Sequence, residues 1–114
     1  MESVMLIVKS GPGEGSRVKE GLRLSAAMLG MDRPPVLVFI DKGVECLRPG
    51  AFSDRVMWDY LKASADLAGV YVLSESLRER GLDVGDLDSR LEATPVGMLR
   101  LAEMAADSDV VVAL

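Results

Sequence analysis

Val4-Met5-Leu6-Ile7-Val8 is a continuous apolar run, interrupted by no polar residue. A strand wetted on one face alternates apolar with polar residues, whereas a strand covered on both faces does not, so this run predicts a strand inside a sandwich. Three runs of the same kind follow: Val36-Leu37-Val38-Phe39-Ile40, Val70-Tyr71-Val72-Leu73 and Val110-Val111-Val112-Ala113-Leu114. Leu91-Glu92-Ala93-Thr94 is a weaker candidate. Helical patterns lie between them. Ser16 is placed to cap a helix in which Val18, Leu22, Ala26 and Leu29 recur at three- and four-residue steps before Gly30. Ser53 is placed to cap a second, with Val56, Met57, Tyr60, Leu61 and Ser64 along one side. A third, short helix over 75–80 stops at Gly81. Thr94-Pro95 reads as a cap followed by proline at the first helical position, opening a fourth helix with Met98, Leu99, Ala102 and Ala105 inward. Residues 82–90 are acidic and aperiodic and read as a loop.

Strands alternating with helices make right-handed βαβ units. The expected fold is α/β: a three-layer α/β/α sandwich around a mostly parallel sheet of four or five strands. No linker, repeat or low-complexity tract divides residues 1–114, so one domain is expected, with its last strand pinned in the sheet. Aromatics are only 4% of the chain, which leaves Val, Leu, Ala and Met to fill the core.

Composition closes off several functions. A net charge of −5 argues against direct nucleic-acid binding, which depends on clustered Lys and Arg. No apolar run approaches the ~20 residues that span a bilayer. The N-terminus lacks a basic segment followed by a long apolar stretch, and a single cysteine fits a reducing compartment, so a cytoplasmic protein is expected. Without histidine the chain cannot assemble a Ser-His-Asp or Cys-His pair, nor a Cys/His zinc site. Nothing in the residues names a cofactor or a metal, and the seven methionines read as packing.

In open α/β sheets ligands bind beyond the carboxyl ends of the strands. The segments delivered there are Ser10-Gly11-Pro12-Gly13-Glu14-Gly15-Ser16, Asp41-Lys42-Gly43-Val44-Glu45-Cys46, Ser74-Glu75-Ser76 and Thr94-Pro95. The backbone around Gly11 and Gly13 can cradle an anion, although Pro12 removes a donor and Glu14 would repel a phosphate; the competing reading is a flexible turn. Cys46 is the candidate catalytic thiol, with Lys42 and Arg48 favouring a thiolate and Glu45 opposing it. Its competing reading is a small buried hydrophobe. Asp41, Lys42, Ser74, Glu75 and Ser76 join the two glycines as candidate ligand-binding residues. For Ser74 and Glu75 the competing role is to cap the short helix and complement its dipole.

Several short motifs fall in a familiar order: Ser10-Gly11-Pro12, Glu20-Gly21-Leu22, Phe39-Ile40-Asp41-Lys42-Gly43-Val44, Ser76-Leu77-Arg78-Glu79-Arg80-Gly81-Leu82 and Asp109-Val110-Val111-Val112. Through them the whole chain resembles the DsrE/DsrF-like family, and most of all its DsrF/TusC branch. The resemblance implies a small α/β/α domain that assembles with itself or with DsrE- and DsrH-like subunits in a sulfur relay, where persulfide sulfur passes between proteins. It implies an acceptor cysteine just after the third strand in carrier members. Here that place reads Leu73-Ser74-Glu75-Ser76, and a serine hydroxyl forms no persulfide. The branch it resembles lacks that cysteine and supplies partner subunits. The expectation is an accessory, non-catalytic subunit without a cofactor. Two alternatives stand beside it: a sulfurtransferase-type persulfide carrier using Cys46, and a small-molecule binding module at the carboxyl edge of the sheet. Trp58 and Tyr60, on the second predicted helix, either offer a face to another subunit or both cover the sheet.

Overall fold

Five short strands, Val4–Val8 (β1), Val36–Phe39 (β2), Val70–Leu73 (β3), Thr94–Val96 (β4) and Val110–Ala113 (β5), form one sheet in the order β4-β3-β2-β1-β5. Every neighbouring pair is parallel. The computed structural model describes residues 3–13 and 17–114, so the Ser16 cap and Glu14 lie outside the described residues. Four helices connect the strands: Arg17–Gly30 (α1), Arg55–Leu67 (α2), Ser74–Glu79 (α3) and Met98–Asp107 (α4). Three 3-10 segments, Asp41–Leu47, Val84–Asp86 and Ser89–Leu91, fill stretches that carry no helical periodicity.

The strands alternate their side chains between two layers, as the pleat requires. Leu6, Val8, Leu37, Phe39, Val70 and Val72 point to α1 and α2 and belong to the larger core cluster. Met5, Val38, Leu73 and Val96 point the other way and meet Leu101 of α4. Where α1 crosses α2, the hydroxyls of Ser25 and Ser64 face each other at 2.8 Å with no solvent exposure, and Ser64 Oγ also donates to the Tyr60 carbonyl. Each buried hydroxyl is thereby satisfied inside an otherwise apolar contact.

Several expectations give way. The strand expected at 91–94 lies at Thr94–Val96, so Thr94-Pro95 opens no helix; α4 starts at Met98 behind Gly97. Proline is tolerated there because β4 is an edge strand, which has no second neighbour for the missing N–H to serve. The cap of α2 is Asp54, whose carboxylate accepts from Val56 N at 2.9 Å, rather than Ser53. On α2, Val56 is exposed, while Met57, Leu61 and Ser64 face in as expected. Along α4 the inward residues are Leu101, Met104 and Ala105; Met98, Leu99 and Ala102 are exposed. Arg100, Glu103 and Asp107 share one face of this helix, and the apolar arc opposite is so wide that docking on Met5 and Val38 selects which part of it is buried. Trp58 and Tyr60 are both half-buried against the α1/α2 core. The sheet is not covered throughout either. In β5, Val110 and Val111 are exposed, although the run reads like that of β1.

Candidate functional site

The turn leaving β2 sits at the carboxyl edge of the sheet and is built tightly. Ile40 N donates to Val8 O at 3.0 Å, and the 3-10 segment then passes so close to the end of β1 that a Cβ on Gly43 would overlap the Val8 carbonyl. Only glycine fits there. Asp41 adopts a left-handed backbone (φ 50°) that L residues seldom take. It is held from both sides: its N–H donates to Ser76 Oγ at 2.9 Å, and its carbonyl accepts from Arg80 Nε at 3.0 Å. Ser76 is almost fully buried. The strands thus bring Asp41 and Ser76 together at the carboxyl edge, with the serine hydroxyl engaged by the backbone.

Ser74 and Glu75 take other parts. Leu73 occupies the cap position of α3 and Ser74 is already inside the helix, so the expected capping by its side chain does not occur. Glu75 reaches across to the next connection, where Oε2 accepts from Met98 N at 2.9 Å and closes the N-terminus of α4. A carboxylate at that end also complements the helix dipole. Its other oxygen is shielded from solvent, with Arg78 Nη2 at 3.9 Å. Gly11, Gly13 and Lys42 gather around an open depression of about 440 Å³ with Pro12, Glu45 and Arg80. The seven candidate ligand-binding residues therefore separate into a structural clasp and a shallow basin.

Cys46 belongs to the core cluster and is 1% exposed. Its Sγ donates to the carbonyl of Ser10 at 3.5 Å, which ties the 3-10 segment to the end of β1. It also forms part of the wall of a second cavity, of about 290 Å³, lined by Arg48, Phe52, Arg55, Trp58 and Arg90 among others. Arg90 is the most constrained of these. Its Nε and Nη2 donate to the two oxygens of Asp88 at 3.0 and 2.7 Å, and its guanidinium lies 4.4 Å from the Trp58 ring centroid. Asp88 is 5% exposed, and its own N–H donates to Leu47 O at 2.8 Å. The side-chain hydrogen bond from Arg90 holds the Asp88 carboxyl below its ordinary range, against a desolvation that pushes it up. Sequence reading singled out Cys46 in this cavity and missed Arg90, Phe52 and Arg55. Arg90 is 32 positions from Trp58, and nothing local links them.

No helix among the described residues is long and apolar enough to cross a membrane. A five-stranded parallel sheet, layered between α1/α2 and α4 and with its tightest turns at the carboxyl edge, defines a small α/β/α sandwich protein. Residues 2–114 match the DsrE/DsrF-like family, and the chain belongs to it. It is 32% identical over 87 residues to a Pseudomonas aeruginosa protein named "Protein TusC homolog", covering 71% of this chain and 73% of that protein. The crystal structure of the ychN protein from E. coli superposes over the full length of both chains with a TM-score of 0.81 at 16% identity. A Methanobacterium thermoautotrophicum protein of unknown function, MTH1491, does so with a TM-score of 0.73 at 18% identity. At such identities the two structures bear on the fold alone.

Proposed function

We propose that this chain is an accessory subunit of a sulfur-relay system, acting as one domain over residues 1–114 through contacts with other subunits. Family membership and the TusC-like relative support a relay role. The observation that carries the accessory part is at Ser74-Glu75-Ser76, where the resemblance expects a carrier's thiol. A buried Ser76 hydroxyl instead holds the Asp41 backbone, and Glu75 closes α4, so the position is built for support. The exposed apolar side chains of Met98 and Leu99 on α4 and of Val110 and Val111 on β5 favour a subunit that completes itself against others. The partners are a second copy or DsrE- and DsrH-like subunits of the same cytoplasmic relay. Co-expression with such subunits, followed by native mass measurement, tests this. A defined hetero-oligomer is expected; a chain that stays monomeric in their presence overturns the reading.

A second reading rests on one observation, the place of Cys46 in a cavity wall. In it Cys46 accepts persulfide sulfur in place of the missing thiol. Its burial argues for slow reaction. Intact mass after incubation with a cysteine desulfurase and cysteine decides: a mass unchanged at Cys46 removes this reading.

A further inference from the structure

The cavity beside Cys46 has a chemical character of its own. The chain carries 18 acidic against 13 basic residues, yet Arg48, Arg55 and Arg90 all line this one hollow, and among the described residues no acidic side chain does. Phe52 and Trp58 supply apolar wall, while the guanidinium groups stay open to solvent, with the Arg48, Arg55 and Arg90 side chains 48, 85 and 63% exposed. Arg90 is fixed in advance. Asp88 takes its Nε and Nη2 edge and Trp58 lies against its face, which leaves the Nη1 donors without a hydrogen bond among the described residues. A planar donor fork held still in this way loses little entropy when an anion arrives.

Arg48 and Arg55 are differently placed. Arg48 pairs with Glu45 at 3.1 Å and Arg55 with Asp59 at 3.2 Å, both as short-range contacts on the surface. Such pairs contribute little, so either arginine can turn toward an anion at small cost. About 290 Å³ is several times the ~30 Å³ share of a water molecule and small for a nucleotide-sized ligand. We propose that this cavity is a binding site for a small oxyanion, anchored by Arg90 and closed over by Arg48 and Arg55, with Cys46 in its wall. Tetrahedral oxyanions of phosphorus and of sulfur share the chemistry. The site does not depend on the relay role and stands whether or not the chain joins an oligomer.

Trp58 is the only tryptophan in the chain, so its fluorescence reports on this cavity directly. The protein is titrated separately with phosphate, sulfate and thiosulfate, with chloride at matched ionic strength as the control. A saturable change with at least one oxyanion and none with chloride is expected, and the order of affinities separates phosphorus from sulfur oxyanions. Arg90→Gln should weaken binding by about tenfold or more, the worth of one charge-assisted hydrogen bond. Because that change strands the buried Asp88 carboxylate, the double variant Arg48→Gln/Arg55→Gln serves as a second arm. It leaves the core untouched and should also weaken binding, while Arg100→Gln on α4 should not. No saturable response, an equal response to chloride, or an affinity unchanged in folded Arg90→Gln and in the double variant overturns the proposal.

Discussion

The two faces of the sheet are finished to different degrees. On one, α1 and α2 seal Leu6, Val8, Leu37 and Phe39 to zero exposure, and the hydroxyl pair of Ser25 and Ser64 pins the helices to each other. On the other, α4 covers Met5, Val38 and Leu73 but turns Met98 and Leu99 outward, and Val111 of β5, in register with Met5, stays exposed. The first face is sealed within the chain over β1 and β2 and opens at Val110 on the β5 edge. The second leaves apolar side chains outward that a core would cover.

The largest expected effect tests the sealed face. Phe39→Ala should lose about 3–5 kcal/mol in denaturant unfolding, through lost transfer energy and a cavity between sheet and helices. Leu101→Ala, the matching truncation under α4, should lose about 2 kcal/mol, at the low end for a buried leucine, because a partly covered site relaxes more easily. Equal losses at the two positions would break the comparison. Asp88→Asn should lose about 1 kcal/mol near neutral pH by weakening the clasp that closes the sealed side. Asp88 titrates lower when folded than when unfolded, so its contribution is fully present above the ordinary carboxylate range and disappears as pH falls through the folded value. The gap in melting temperature between wild type and Asp88→Asn should therefore narrow on acidification. Leu99→Lys, on the unfinished face, should change the stability of the isolated chain by less than about 0.5 kcal/mol. Its effect should fall on assembly, as a lower native mass with partner subunits present; an unchanged mass would place the contacts elsewhere.

What was legible in the sequence follows from where the determining forces are local. Continuous apolar runs announced β1, β2, β3 and β5, and glycine at φ 68° marks the end of α3 at Gly81 as its position suggests. Thr94-Pro95 misled because the same pair suits a helix start and an edge strand, and only pairing with Tyr71 and Val72 decides between them. The exposure of β5 was hidden because an uncovered apolar run reads the same as a covered one. At the carboxyl edge, the meeting of Asp41 with Ser76 followed from topology. The arginine cavity did not, since it is assembled from the Asp41–Leu47 segment, the start of α2 and residue 90, none of which carries a signal of the others.

The position of β5 has a consequence for synthesis. β5 is last in sequence and pairs with β1, the first strand, and the hydrogen bond of Ser3 N to Asp109 spans 106 residues. While the ribosome is still translating the middle of the chain, β1 has an unpaired outer edge, and such edges invite pairing with other nascent chains. Closing that edge waits for residues 110–113 to emerge, so the pairing that covers it is among the longest-range contacts of the described residues.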